Sequence, residues 1–217
     1  MSSPFLSEDQ CSHEFYSQVR NNFHIFPIRT HSTKIEAVEG VDVIYAVKNA
    51  MNRNVKAVLV QEKAPYPPPF EFVLEKHQHD RLLRRQSTFR HRAYFYAFFC
   101  VQNPLQLQAI VGNTVHFDVD KIPAFNSAVS RVRATSNPFY VYPNRRQRRG
   151  YHFVEILLRI SYCWVGLPNR FFPELIEDLT RLVEENVKFY VAIYDKDERE
   201  LSILFSSQKS DQDHNKE

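Results

Sequence analysis

Between Phe139 and Val183 the spacing of apolar residues changes period, and that change limits the chain to folds in which a helix lies on a sheet. Phe139–Tyr142 and Tyr151–Ile160 are dense in aromatic and β-branched residues, and the polar run NRRQRRG between them ends in Gly150, one of only four glycines in 217 residues. This predicts a hairpin with a basic tip, then a short strand at Trp164 and Val165. From Phe172 onward, Leu175, Ile176, Leu179, Leu182 and Val183 recur at three and four, with Glu174, Glu177, Asp178 and Arg181 opposite. The pattern is that of an amphipathic helix of about four turns. Pro173 suits its first turn, where a missing N–H costs nothing, and the acidic residues lie where the helix dipole favours them.

The preceding residues repeat this plan. Ala93–Val101, Leu105–Val111 and Thr114–Val119 read as three strands, and Pro123, Phe125, Val129, Arg131 and Val132 fall 50 positions before Pro173, Leu175, Leu179, Arg181 and Leu182. The expected architecture is α+β: two β-rich repeats, each closed by an amphipathic helix, behind an N-terminal strand–helix–strand segment.

The aromatic strand FYVYPN, the basic turn closed by Gly150, the strand GYHFVEILLRI, the GLP triplet and the helix FFPELIEDLTRLVEE together resemble a repeat of the PUR family. These are purine-rich-element single-stranded nucleic-acid binders with a Whirly-like fold. The resemblance covers about 50 residues well and about 100 loosely, with Asn144, Arg148, Arg149, Gly150, Leu167 and Pro168 in the family's motif positions. Val141 and Tyr142 stand where that family has a lysine and an acidic residue, and Gln102, Asn103 and Pro104 replace a basic turn in the first copy. The resemblance implies single-strand binding, no cofactor and dimerisation through repeat packing.

Along the chain, residues 1–20 are expected to be a mobile lead-in. Residues 21–64 are read as strand, helix and strand: Phe23–Ile28, a helix opened by a Thr33/Glu36 capping box and running to about Asn52, and Val55–Gln61. Residues 65–92 hold a stiff proline-rich connector and a basic segment, the latter a short helix or ordered loop. Repeat 1 occupies residues 93–136 and repeat 2 residues 137–205, ending in a hairpin of Phe189–Tyr194 and Leu201–Phe205. Residues 206–217 carry no apolar side chain to bury and are expected to be disordered.

Composition removes several function classes. No GxxxxGK, GxGxxG or GxSxG is present, which excludes the usual phosphate-cradling and nucleophile-elbow loops. Cys11, Cys100 and Cys163 are odd in number and widely spaced, as in reduced thiols rather than a disulfide framework. The start lacks a signal-peptide pattern and no run of 18 apolar residues exists, so a nuclear or cytoplasmic protein without a membrane span is expected.

Net charge is a mild +3, but its placement is uneven, with arginines at 81, 84, 85, 90 and 92 and again at 145, 146, 148 and 149. A positive groove with aromatic faces is what holds single strands. Phosphate contacts are assigned to Arg145, Arg146, Arg148, Arg149, Arg90 and Arg92, and base stacking to Tyr140, Tyr142 and Tyr151. The function expected is non-enzymatic binding of RNA or single-stranded DNA. The alternative is a protein–protein adaptor using the aromatic sheet or the proline connector, with a homodimer or a protein as partner. A third reading is a metal-dependent nuclease. Its candidate ligands are His77, His79 and Asp80, or His116, Asp118 and Asp120, whose spacing matches no strong metal motif; Glu155 offers no evident carboxylate partner.

Overall fold

A computed structural model of the protein describes residues 6–23, 26–30, 40–48, 55–66, 70–89, 92–162, 164–167 and 188–194. The fold is α+β with two sheets. The helices are α1 (Glu8–Phe23), α2 (Lys76–Thr88), the short α3 (Pro104–Leu107) and α4 (Phe153–Ser161). The strands are β1 (Phe26–Thr30), β2 (Val43–Lys48), β3 (Val55–Lys63), β4 (Glu71–Glu75), β5 (Tyr94–Phe99), β6 (Thr114–Asp118), β7 (Val129–Ser136), β8 (Phe139–Tyr142), β9 (Arg148–Arg149) and β10 (Lys188–Tyr194).

Six strands form a mixed sheet in the order β1–β10–β2–β3–β5–β6. β2 and β3 are an antiparallel pair with Val43 opposite Val60, whereas β3 and β5 run parallel with Leu59 opposite Tyr94. A parallel pair needs a crossover; here β4 and α2 make it. The small sheet, β4–β7–β8–β9, is antiparallel throughout.

Both faces of the large sheet are covered. On one, Val43, Tyr45, Val58, Val60, Phe95 and Phe99 pack against Cys11, Phe15 and Val19 of α1 and Phe153, Ile156 and Ile160 of α4. On the other, Ile44, Leu59, Tyr94, Tyr96 and Phe98 pack against Phe72 and Leu74 of β4, Leu82 of α2 and Val132, Ala134 and Val141 of the small sheet. Every residue of β5 is buried, which is why YFYAFF shows no alternation.

Several expectations are corrected. The supposedly mobile start is α1, whose Cys11, Phe15 and Val19 fall at helical spacing on a buried face. Val43–Lys48, assigned to a helix, is β2, because Val43 and Tyr45 serve one core layer and Ile44 the other. Leu105–Val111 is not a strand: Asn103 caps α3 by accepting from the Gln106 amide, with Pro104 in the first turn. The helix expected to close the first repeat is absent, and Val129–Ser136 is β7, with Val132 and Ala134 turned inward and Arg131 and Arg133 outward. Tyr151–Ile160, the expected second arm of the hairpin, holds α4 instead, buried at Phe153, Ile156, Leu157 and Ile160. The helix expected over 172–186, the second arm of the final hairpin, the disordered tail, Cys163 and Arg90 lie outside the described residues.

Candidate functional site

The small sheet turns one face to the core and the other to solvent. Its register places Val73 opposite Arg131, Arg133 opposite Tyr142, Thr135 opposite Tyr140 and Tyr140 opposite Arg149. Directly paired residues share a face, so Arg131, Arg133, Arg149, Tyr140 and Tyr142 line one outer surface. The three arginines are exposed and the two tyrosines half-buried. Arg133 lies 5.9 Å from the Tyr142 ring centroid, and Arg131 lies 5.9 Å from that of Tyr66. Beyond the sheet edge, Arg145, Arg146 and Arg148 are exposed and have no carboxylate partner among the described residues. Asn144 and Arg145 hold the tip at positive φ, 51° and 65°.

Other expected site residues are placed differently. Tyr151 is only 7% exposed. Its ring lies beneath Arg159 at 4.3 Å and Lys121 at 5.2 Å, so no face is open to a base. Arg92 is exposed but sits away from the tip, 3.7 Å from Asp118. Arg149 pairs with Glu155 at 3.2 Å, and Glu155 also binds Arg159, so that carboxylate is not isolated. An aromatic pair outside the expected set is solvent-facing: Tyr162 and Trp164 stack with centroids 5.7 Å apart, and Arg159 lies 5.6 Å from Trp164.

Neither histidine set assembles a metal site. His79 is buried, with Nδ1 3.0 Å from the Tyr96 hydroxyl and Nε2 3.1 Å from the Ile122 carbonyl, and Asp80 pairs with Lys76. His116 and Asp118 are core residues, and Asp118 binds Lys121.

A second cluster arises where β2 begins and β3 ends, ends that the antiparallel register brings together. Asp42 precedes β2, and its Oδ2 accepts from the Glu62 backbone N–H at 2.7 Å and from the Gln61 side-chain amide. The Gln61 Oε1 accepts from Gln78 Nε2 of α2 at 2.8 Å. Lys63, on the same strand face as Gln61, reaches Glu8 Oε2 at the start of α1, 3.7 Å away. Burial raises the Asp42 carboxyl well above its usual range, with the Glu8 charge adding to it and Lys63 opposing it. Glu8 is raised as well, chiefly by burial and against the pull of Lys63. Lys63 thus pairs with Glu8 and acts on Asp42 through its field alone.

Among the described residues no three His, Cys, Asp or Glu side chains form a ready metal cage. One or two carboxylates with open positions is nonetheless the arrangement Mg²⁺ takes, since it keeps several waters. The sequence carried a faint sign of this cluster: an acid just before VIYAV and a Q-x-K at the end of VKAVLV. Nothing in the spacing alone revealed that these strands pair, or that Glu8 belongs with them.

No helix of the described residues is long and apolar enough to cross a membrane. No family model, curated protein or solved structure matches the chain.

Proposed function

We propose that the protein binds RNA or single-stranded DNA on the outer face of the small sheet and cleaves phosphodiester bonds at the Glu8–Asp42–Gln61–Lys63 cluster with the help of a divalent cation. The observation that carries the reading is the convergence of two carboxylates, an amide and a lysine from α1, the start of β2 and the end of β3. Burial and mutual repulsion disfavour ionisation of both carboxyls, a cost that a bound hard cation would offset. Such an ion polarises a phosphoryl oxygen and lowers the pKa of bound water. Asp42 and Glu8 would hold it, Gln61 orients Asp42, and the Lys63 ammonium would stabilise charge developing on the phosphate.

The basic face supplies the substrate class. Arginines bind phosphate and tyrosine rings accept stacked bases, and the two surfaces are close along the chain. β3 leaves Lys63 for Tyr66, which bridges to Glu71, and Glu71 pairs with Arg131 at 3.5 Å. The PUR-like reading contributes the open basic sheet to this proposal. Its pairing of two helix-closed repeats is no part of it, because β7 stands where the first repeat's closing helix was expected.

The test is cleavage of end-labelled single-stranded RNA and DNA in Mg²⁺ and in Mn²⁺. Asp42→Ala and Lys63→Ala should each slow cleavage by about 100-fold or more while binding persists. No cleavage in either metal, together with no Mn²⁺ binding by calorimetry, would overturn the catalytic half.

A second reading, binding without cleavage, is favoured by one observation. The Gln61 amide turns its N–H to Asp42 and its oxygen is taken by Gln78, so a position at which a carboxylate would serve a cation is filled by a closed amide chain. That reading predicts binding indifferent to Mg²⁺ and no cleavage in Mg²⁺ or Mn²⁺.

A further inference from the structure

Glu62 is the middle residue of Gln61–Glu62–Lys63, and strand alternation sends it to the opposite side from its neighbours. Gln61 meets Gln78 of α2 and the Asp42 carboxylate, and Lys63 reaches Glu8 at the start of α1. Glu62 points under α1 and is fully buried among Cys11, Tyr16 and Tyr45. A buried carboxylate needs donors, and both of its oxygens find them on α1: Ser12 Oγ donates at 2.5 Å to Oε2 and Tyr16 OH at 2.5 Å to Oε1. Ser12 Oγ also lies 2.9 Å from the Glu8 carbonyl oxygen, so the hydroxyl that meets Glu62 touches the turn that carries Glu8.

We propose that Glu62 is a positioning residue, which clips the first turns of α1 to β3 and thereby holds Glu8 against Lys63.

The surroundings explain why a polar clip is needed there. The apolar side of α1 is buried from Cys11 onward, at Phe15, Tyr16 and Val19, whereas the turn holding Glu8, Asp9 and Gln10 has no buried apolar side chain. Apolar packing fixes the middle of the helix; its beginning has only the half-buried Leu6 on the core, with polar contacts that include the Ala64 backbone at Glu8. The side-chain contacts among them are the Glu62 pair to Ser12 and Tyr16 and the Glu8–Lys63 pair, and they lie on consecutive residues of one strand. Loss of the first would let the helix start swing and carry the Glu8 carboxylate away from Lys63. The Tyr16 hydroxyl is 3.4 Å from that of Tyr45, which is 3.1 Å from His116 Nε2, so the clip is backed by further buried polar groups. The assignment of a role to Glu8 rests on the function proposed above; the clip itself does not.

The test compares Glu62→Ala and Glu62→Gln with the parent chain in three measurements. These are amide hydrogen exchange over residues 8–16, the rate of Lys63 acetylation followed by mass spectrometry, and Mn²⁺ affinity by calorimetry. Glu62→Ala should speed exchange in α1 by about tenfold or more, raise Lys63 acetylation several-fold, and weaken Mn²⁺ binding by about 10–100-fold. Glu62→Gln keeps the shape and two polar atoms for Ser12 and Tyr16 and should restore most of each. If Glu62→Ala proves unable to fold, Ser12→Ala removes one arm alone and should move the same readouts in the same direction.

Parent-like exchange and acetylation in a folded Glu62→Ala would overturn the clip. Faster exchange with unchanged Lys63 acetylation would overturn its effect on Glu8. Faster exchange and acetylation in a chain whose parent binds no Mn²⁺ would uphold the clip and remove the metal-dependent reading instead.

Discussion

His116 and Glu62 are two buried titratable residues whose charge states oppose each other. Burial, then the nearby His152 charge, lowers His116 to about 3 against the pull of its bond with the Tyr151 backbone. The unfolded chain takes up that proton near 6.5, so the stability His116 contributes is present above pH 6.5 and is lost as pH falls toward 3. At pH 5 the loss is about 2 kcal/mol. Glu62 is raised to about 7 by burial, with Ser12 and Tyr16 pulling it down. Its contribution is full below 4.5 and is lost as pH rises through about 7, the opposite sign. Urea midpoints measured across pH 4 to 8 should therefore pass through a maximum between these limits. His116→Gln should flatten the acid limb; an unchanged acid slope would show that another group controls it.

At the level of elements, the junction of β6 with the turn after β9 depends on close approach. A Cβ at Gly150 would lie 2.4 Å from Val115 Cγ1 and 3.0 Å from the His116 carbonyl oxygen. The latter is backbone and cannot turn aside. Gly150→Ala should destabilise by about 1–3 kcal/mol in chemical denaturation. The sequence pattern ends the basic turn at Gly150, whereas Arg148–Arg149 already form β9 and Gly150 follows it; the closeness of β6 was not legible.

Other elements divide along the same line. β3, β5, β6 and β8 were readable because VKAVLV, YFYAFF, TVHFD and FYVY are strand-formers with no competing helical period. α4 was not, because its residues also favour strands. Its helix is fixed by a His152 cap, a Glu155–Arg159 pair one turn apart and buried residues at three and four, features whose weight comes from packing. α1 was hidden by Gln, Asn and His around a thin apolar stripe, and with it went Glu8. Arg131 fits a helical pattern as well as a strand and Arg133 stands in no motif, so these two arginines of the outer face are legible only once β7 pairs with β8.

At the scale of the whole molecule, two charged regions of the described residues lie apart. Arginines occupy the outer face of the small sheet, and the carboxylate cluster lies between the large sheet and the helices beside it. A polyanion should therefore meet the first before the second. Arg131→Ala with Arg133→Ala should weaken single-strand binding about equally for all sequences and reduce the slope of log affinity against log salt by about two, read from a filter-binding series. A slope equal to that of the parent would place the strand elsewhere. Phosphate-directed arginines give no base preference, so the site is expected to accept strands of varied sequence.

The position of β10 has a consequence of its own. It lies between β1 and β2, running parallel to β2 with Val191 opposite Ile44 and antiparallel to β1 with Ile28 opposite Val191. A segment made late in translation is thus the only neighbour of the earliest strand in the described sheet. On the ribosome, β1 must wait with its edge unmatched until residue 194 has emerged. That interval is when the nascent chain is most open to capture by another exposed strand or by a chaperone.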